Sequence, residues 1–232
     1  MATINDPNVA ANIAGVGAVA QKGVHVITKP IDVTGGGYFR VAAVTGTLAA
    51  ALGAGSATVG HLFSLRNPHA TTLIVIHYIR AQFQTLAAFT TPTVTDFGFD
   101  LFRNTGHTVQ YTTNKTNLTP SKLRSSFASS VLGAADLVIA TTVGMTGQTA
   151  TQDANATNMC IGDPNIVNAA GGTEYANQGP PAMLIYNPNV SDGYPLTLTQ
   201  NEGFVIRNRA AWAAAGTGIL QVEVGWAEVT AY

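Results

Sequence analysis

Charge is scarce in this sequence. Only 10% of its 232 residues are Asp, Glu, Lys or Arg, whereas soluble domains usually carry about 25%. Thr, Ser, Asn, Gln and Gly make up the difference, so the polar surface hydrogen-bonds rather than ionises. A surface of that kind suits a protein covered by neighbours, because each buried unpaired charge costs several kcal/mol. A neutral secreted domain is the alternative that composition leaves open. The 11 Lys and Arg are balanced by 12 Asp and Glu for a net charge of −1. Their densest grouping is Arg207 with Arg209, which is no phosphate-binding stripe, so no nucleic-acid partner is expected.

Other absences narrow the field. One cysteine, Cys160, allows neither an intramolecular disulfide framework nor a cysteine-based zinc site. No run approaches the roughly 18 apolar residues that a membrane helix needs, so no membrane partner is expected. The first residues, MATINDPNVA, lack the basic n-region of a signal peptide.

What is present is β-strand periodicity. In Leu73–Gln84 the odd positions Leu73, Val75, His77, Ile79, Ala81 and Phe83 form one face, and the alternation is cleanest toward Gln84. Thr90–Thr95, with Pro92, breaks the run. Phe97, Phe99 and Leu101 then alternate with Gly98 and Asp100. Asp136–Thr142 is β-branched and strand-like. Leu196 and Leu198 alternate with Thr197 and Thr199, Asn201-Glu202-Gly203 supplies a turn, and Phe204–Asn208 resumes as a strand. In Gly218–Val229, Leu220, Val222, Val224 and Trp226 share a face that a helix would scatter. One helix competes: Thr119-Pro120 could open it, with Leu123, Phe127 and Val131 along one side.

Residues 1–40 read as an extended arm, small and flexible at Ala10–Ala20 and punctuated by Gly35-Gly36-Gly37. Ala49–Gly60 is a second small-residue stretch, expected as a loop or close-packed edge. The fold expected for 41–232 is therefore an all-β antiparallel sandwich or jelly roll, large enough to bury roughly 70% of its unfolded surface.

Catalytic motifs fail one by one. His61, His69 and His77 recur every eight residues, but no Asp, Glu or Cys lies nearby in sequence to complete a metal site. Asp96 and Asp100 could form a glycosidase-like carboxylate pair; solvated carboxylates on a polar strand face are the plainer reading. Glu223 and Glu228 fall on opposite strand faces. Gly53-Ala54-Gly55 followed by Gly60 lacks the Lys-Ser/Thr of a phosphate-binding loop. Cys160 sits in an expected Asn/Asp-rich loop without a local His. The Asn-x-Ser/Thr triplets at Asn114, Asn117, Asn155 and Asn189 follow from an Asn- and Thr-rich composition. No catalytic residue, cofactor or metal is expected. Tyr175, Tyr186, Tyr194 and Trp212 lie in expected loops and could stack on sugars or anchor subunit contacts.

Tyr194–Asn208 (YPLTLTQNEGFVIRN) followed by Gly218–Val229 (GILQVEVGWAEV) resembles the closing strands of a family of tailed-bacteriophage virion proteins. The likeness extends upstream in order, through Phe63–His69 (FSLRNPH), Phe97–Leu101, Lys122–Ser125 and Asp136–Thr142, covering roughly residues 61–232. The resemblance implies a virion structural protein, with capsid decoration (cement) its expected place, at the capsid surface of a particle assembled in the host cytoplasm. The partners it implies are the major capsid protein and copies of the chain itself, as a dimer or trimer. A carbohydrate-binding module of a head or tail fibre is the second expectation. Independently of the family, Trp226 is expected as a core anchor and Gly203 as a turn residue. Arg66 and Arg207 are expected to tie strand ends to carbonyls or acids.

Overall fold

The computed structural model describes residues 37–49, 52, 60–87, 98–161, 183–187, 195–212 and 216–230. The chain divides into two units, Met1–Asp32 and Val33–Tyr232. The first lies outside the described residues, and everything below concerns the second.

Among the described residues there is no helix. In chain order the strands are β1 (Gly37–Val44), β2 (Leu48–Ala49), β3 (His61–Asn67), β4 (Thr72–Ala87) and β5 (Gly98–Val109). Shorter ones follow: β6 (Lys115–Asn117), β7 (Ser121–Lys122), β8 (Leu137–Ala140), β9 (Thr149–Gln152), β10 (Asn158–Ile161), β11 (Met183–Tyr186) and β12 (Thr197–Leu198). β13 (Glu202–Asn208) and β14 (Thr217–Thr230) complete the set.

They form two antiparallel sheets. The first runs β11-β4-β14-β1-β7, with β12 on β4 and β2 on β14; the second runs β10-β5-β13-β3-β8-β6, with β9 on β5. The first half of the domain pairs with the second half in reverse order. β1 lies against β14, β3 against β13, β4 against β11 and β5 against β10. One long hairpin has rolled up, and the roll is sealed where β14 also pairs with β4 and β13 with β5. That nested order is a jelly roll, the expected fold class.

The core lies between the sheets. From the first sheet come Phe39, Val41, Ile74, Ile76, Ile79, Phe83, Leu220, Val222, Val224 and Trp226; from the second come Phe63, Leu65, Phe99, Leu101, Phe204 and Ile206. Trp226 is fully buried and stacks on Phe39 with ring centroids 6.1 Å apart, as expected of an anchor. Phe83 meets Phe99 across the interface at 5.3 Å. Aromatic pairs at such separations add to the area they bury.

Several expectations need correction. The alternation of β4 changes parity midway. Ile76 faces Trp226 and Tyr78 faces Gly225, so His77 has no opposite residue. This bulge inserts one position into a two-residue period. Ile74 and Ile76 point inward on one side of it, and Ile79, Ala81 and Phe83 on the other. Leu73, Val75 and His77 are thereby taken off the core face. The helix expected after Thr119-Pro120 is instead β7 and turns: Leu123 N–H donates to Tyr38 O of β1 at 3.1 Å, and Phe127 N–H to Arg124 O at 3.1 Å closes a single i→i−3 turn, so no i→i−4 ladder is built. Gly203 is not the turn residue. It lies inside β13, and the left-handed conformation falls on Asn201, with φ 58°. A Cβ at 203 would collide with the Leu65 carbonyl and come within 2.8 Å of His107 Nδ1, so the position needs glycine for close approach. The expected arm overlaps the domain at its end, since Gly37–Arg40 open β1. Residues 1–36, the break at 90–95 and Gly53–Gly55 lie outside the described residues.

Candidate interaction surfaces

The two outer faces of the sandwich differ. On the second sheet, strands β3, β13 and β5 turn Ser64, Arg66, Gly203, Val205, Asp100, Phe102 and Asn104 outward, yet most of these are buried. The following segment, Gly106–Thr113, contacts them: Arg66 Nη1 donates to the Thr108 carbonyl at 2.6 Å, and His107 Nδ1 lies close to Gly203. His107 N–H donates to Asn201 O at 2.7 Å, bringing the end of β5 over the start of β13.

Under this cover sits a polar network. Arg207 lies 3.8 Å from the centroid of the Phe102 ring and donates through Nη1 to Gln152 Oε1 at 2.9 Å. With its oxygen so engaged, the Gln152 amide turns Nε2 toward His61 Nε2, 2.8 Å away. His61 Nε2 must then accept, which assigns the neutral ring with its proton on Nδ1, donating to the Tyr111 hydroxyl at 2.5 Å. Burial lowers the His61 pKa to about 4, helped by the charge of Arg207 and by His107. His107 also falls to about 4, through burial first and Arg66 second, with Gln110 and Asp136 pulling it back. The Gln110 side chain is its hydrogen-bonding neighbour under the cover. Burial pushes the Tyr111 phenol up, opposed by Arg207. Around the rim the cations are matched with acids: Arg66 with Asp136 at 2.8 Å, Arg209 with Asp100 at 2.7 Å, and Arg103 with Glu202.

The outer face of the first sheet is partly exposed and partly buried, with Ala227 and Gly225 buried and Val75 nearly so. Here Tyr38, Arg40, Ala42 and Val44 of β1 line up with Ala227, Gly225, Glu223 and Gln221 of β14. The row continues into Val75, Tyr78, Arg80 and Gln82 of β4. Val44 is 52% exposed, and Arg40, Arg80, Gln82, Gln84 and Gln221 are exposed. The Tyr78 ring lies over Gly225, where any Cβ would meet its edge. Its hydroxyl donates to Glu223 Oε1 at 2.8 Å, and the Arg80 guanidinium stands 5.4 Å from the ring centre. The Tyr78 pKa is pushed up to about 12, by burial and then by Glu223. Tyr38 packs on His77, the bulge residue, at 4.9 Å.

At the end of the sandwich Glu228 points inward from β14 and is buried. Its carboxylate accepts from the Val131 amide at 3.0 Å, from Trp226 Nε1 at 3.2 Å and from the Ser130 hydroxyl. His69 Nε2 bonds the Val131 carbonyl at 2.7 Å. Together these fasten the 123–136 segment to the sheet edge.

The residues singled out in the sequence do not converge. His61 belongs to the second sheet, His77 to the first, and His69 to the segment between them. Among the described residues no group of three His, Cys, Asp or Glu is placed to hold a metal. Asp100 is not a solvated carboxylate but a buried one, accepting from Arg209; Asp96 lies outside the described residues. Cys160 is in β10, paired with Phe99, rather than in a loop. Glu223 and Glu228 take opposite faces, as expected.

The sugar-stacking set also needs correction. Trp212 is 1% exposed, packed on Phe83 at 5.0 Å and Phe99 at 6.0 Å. Tyr186 is buried in β11, its hydroxyl accepting from Leu196 N–H at 2.6 Å. Tyr175 and Tyr194 lie outside the described residues. Arg66 ties strand ends as expected, through the Thr108 carbonyl at 2.6 Å and Asp136. Arg207 binds Gln152 and the Phe102 face. Sequence reasoning missed the His61–Gln152–Arg207 network, whose members are far apart in the chain, and it missed Tyr38 and Tyr78.

These features define a class, a two-sheet antiparallel jelly roll whose second sheet is covered by the chain's own following segment. Compared with known proteins, the chain matches no protein-family model and no curated protein.

Proposed function

We propose that this protein is a structural component of a tailed-phage virion, a decoration protein that binds the outer capsid lattice through the major capsid protein and through its own copies. The observation that carries the reading is the nested pairing of the two chain halves. Jelly rolls of this order serve as viral capsid domains, and also as lectins and cupins. Fold alone does not choose among these uses. The low charge content and the ordered resemblance of residues 61–232 to virion proteins favour the first.

The mechanism is mechanical. β14 is bonded along its length to β4 and over eight positions to β1, so the sandwich cannot peel from one edge. Each standard interface with a capsid subunit buries about 1,600 Å², and several such contacts on one oligomer make release rare. The added interface free energy resists the pressure of the packaged genome. In a cryo-EM map of the intact particle, this sandwich should occupy repeated positions on the outside of the head. Purified particles lacking the protein, or holding it in the tail alone, would overturn the reading.

A further inference from the structure

Residues 106–114 lie across the outer side of the second sheet as a strap. Across β3 and β13 that side presents three pairs, Arg66 with Gly203, Ser64 with Val205, and His61 with Arg207. The strap's His107 sits over Gly203 at one end, and its Tyr111 reaches the His61 ring at the other. Ser64 and Val205, between them, are fully buried. Left-handed residues bracket the strap, Gly106 with φ 57° and Asn114 with φ 58°.

What the strap buries is polar. Its inward side chains are His107, Gln110 and Tyr111, whereas Thr108 and Val109 are exposed. Ser64 Oγ beneath it, and both amide atoms of Asn104 beside Gly203, are buried with no hydrogen-bond partner among the described residues. Seating a polar strap on such groups forfeits hydration that opening restores. Polar bonds fasten it: His107 N–H to Asn201 O at 2.7 Å, Arg66 Nη1 to Thr108 O at 2.6 Å and Gln110 Nε2 to Asp136 O at 2.8 Å. On its other side Thr112 N–H donates to Thr146 O at 3.0 Å.

Both buried histidines belong to this seat, and each faces a guanidinium. His61 faces Arg207 of β13, with Tyr111 and His107 of the strap and Gln152 of β9 around it. His107 faces Arg66 of β3, with Asp136 and Gln110 near it and the Tyr111 ring at 6.3 Å. The acids of the cluster are engaged already, Asp136 by Arg66 and Asp100 by Arg209. A proton on either ring therefore sets a cation beside a cation, where burial already disfavours charge. On His61 it also sets Nε2–H against the Gln152 amide.

We propose that this strap is an acid-released cover: protonation of His61 and His107 lifts it off the second sheet and wets Ser64, Asn104 and Arg66 while the sandwich stays folded. This does not rest on the virion reading. It goes beyond a loss of overall stability, because both rings regain water when the strap lifts, without the core strands parting. Each ring titrates at about 4 when covered and at about 6.5 when free. The closed strap is therefore fully favoured above about pH 6.5 and loosens as pH falls toward 4.

The test is amide hydrogen exchange of the full chain, read by NMR at pH 7.5 and pH 5.0 and corrected for the intrinsic pH dependence of exchange. The amides followed are those of His107, Tyr111 and Thr112, which are hydrogen-bonded in the closed strap. At both pH values they should exchange at least about a hundredfold faster than the amides of Leu220–Trp226 in β14, because they open locally. Their protection should fall by at least about tenfold at pH 5.0. In the His61→Gln/His107→Gln double variant it should stay within about twofold. If that variant does not fold, His107→Gln alone should reduce the fold-change to about its square root. Protection that ignores pH in the wild-type chain, or that falls equally in the variants, would overturn the proposal. So would strap amides as protected as those of β14 at both pH values, since the histidines would then act through global unfolding alone.

Discussion

Arg207 donates to Gln152 at 2.9 Å, and that single bond decides which way the Gln152 amide faces His61. With the amide N–H directed at Nε2, a doubly protonated His61 would set donor against donor. The ring is therefore held neutral by geometry as well as by burial.

Acid lability follows from this. The folded pKa of His61 and His107 is about 4, below the unfolded value of about 6.5. Between those values the unfolded chain binds more protons than the folded one, so stability falls as pH falls. It is fully present above about pH 6.5 and declines down to about pH 4. Each histidine contributes on the order of 2–3 kcal/mol to the loss. Urea unfolding at pH 7.5, 5.5 and 4.5 should show the midpoint dropping, and the drop should be roughly halved in His107→Phe. A flat profile would contradict the assignment.

Glu228 is buried, and among the described residues its carboxylate is held by three donors. Removing the acceptor in Glu228→Ala leaves the Val131 amide and Trp226 indole unsatisfied, at a cost of about 2–4 kcal/mol. Ser130→Ala removes one donor and should cost about 1 kcal/mol. Chemical denaturation measures both.

Two buried glycines of the sheets should respond differently to the same change. At Gly203 the added methyl meets the Leu65 carbonyl, which is backbone in a paired strand. Gly203→Ala should cost about 2–3 kcal/mol by forcing the strands apart. At Gly225 the obstacle is the Tyr78 ring, which can swing outward. Gly225→Ala should cost about 1 kcal/mol and raise the exposure of Tyr78, visible in its fluorescence quenching by iodide.

The domain should tolerate deletion of residues 1–36 better than deletion of 1–40. The longer deletion removes Phe39, which is buried and stacked on Trp226, along with half of β1. It should lower stability by about 3–5 kcal/mol relative to the shorter one, read as the difference in denaturant midpoint. The shorter deletion is the variant for asking whether the first residues contribute to capsid attachment.

The strands that can be read from the sequence are those whose period survives in the fold. β14 is the plainest, because Leu220 to Trp226 keep one face throughout, and β13 with its preceding turn was legible for the same reason. β4 was legible only from Ile79 onward. Nothing in the sequence of β4 alone marks His77 as an extra residue, because the bulge exists only relative to Trp226 and Gly225 on another strand. Gly203 misled in the same way: a glycine after Asn-Glu reads as a turn residue until the Leu65 backbone is seen lying against it. The aromatics of apparent loops misled because loop-like sequence does not say which way a ring points, and Trp212 points inward.

The sequence by itself determined an all-β protein of low charge, since composition and a two-residue period are local properties that each stretch carries alone. Which half of the chain pairs with which, and hence that the sandwich is a jelly roll, was decided only in three dimensions, because strand partners here are separated by most of the chain. So was the pairing of Arg66, Arg103 and Arg209 with acids far away in the chain. Charge balance over a whole sequence says nothing of distance, and electrostatic interactions fall off with distance.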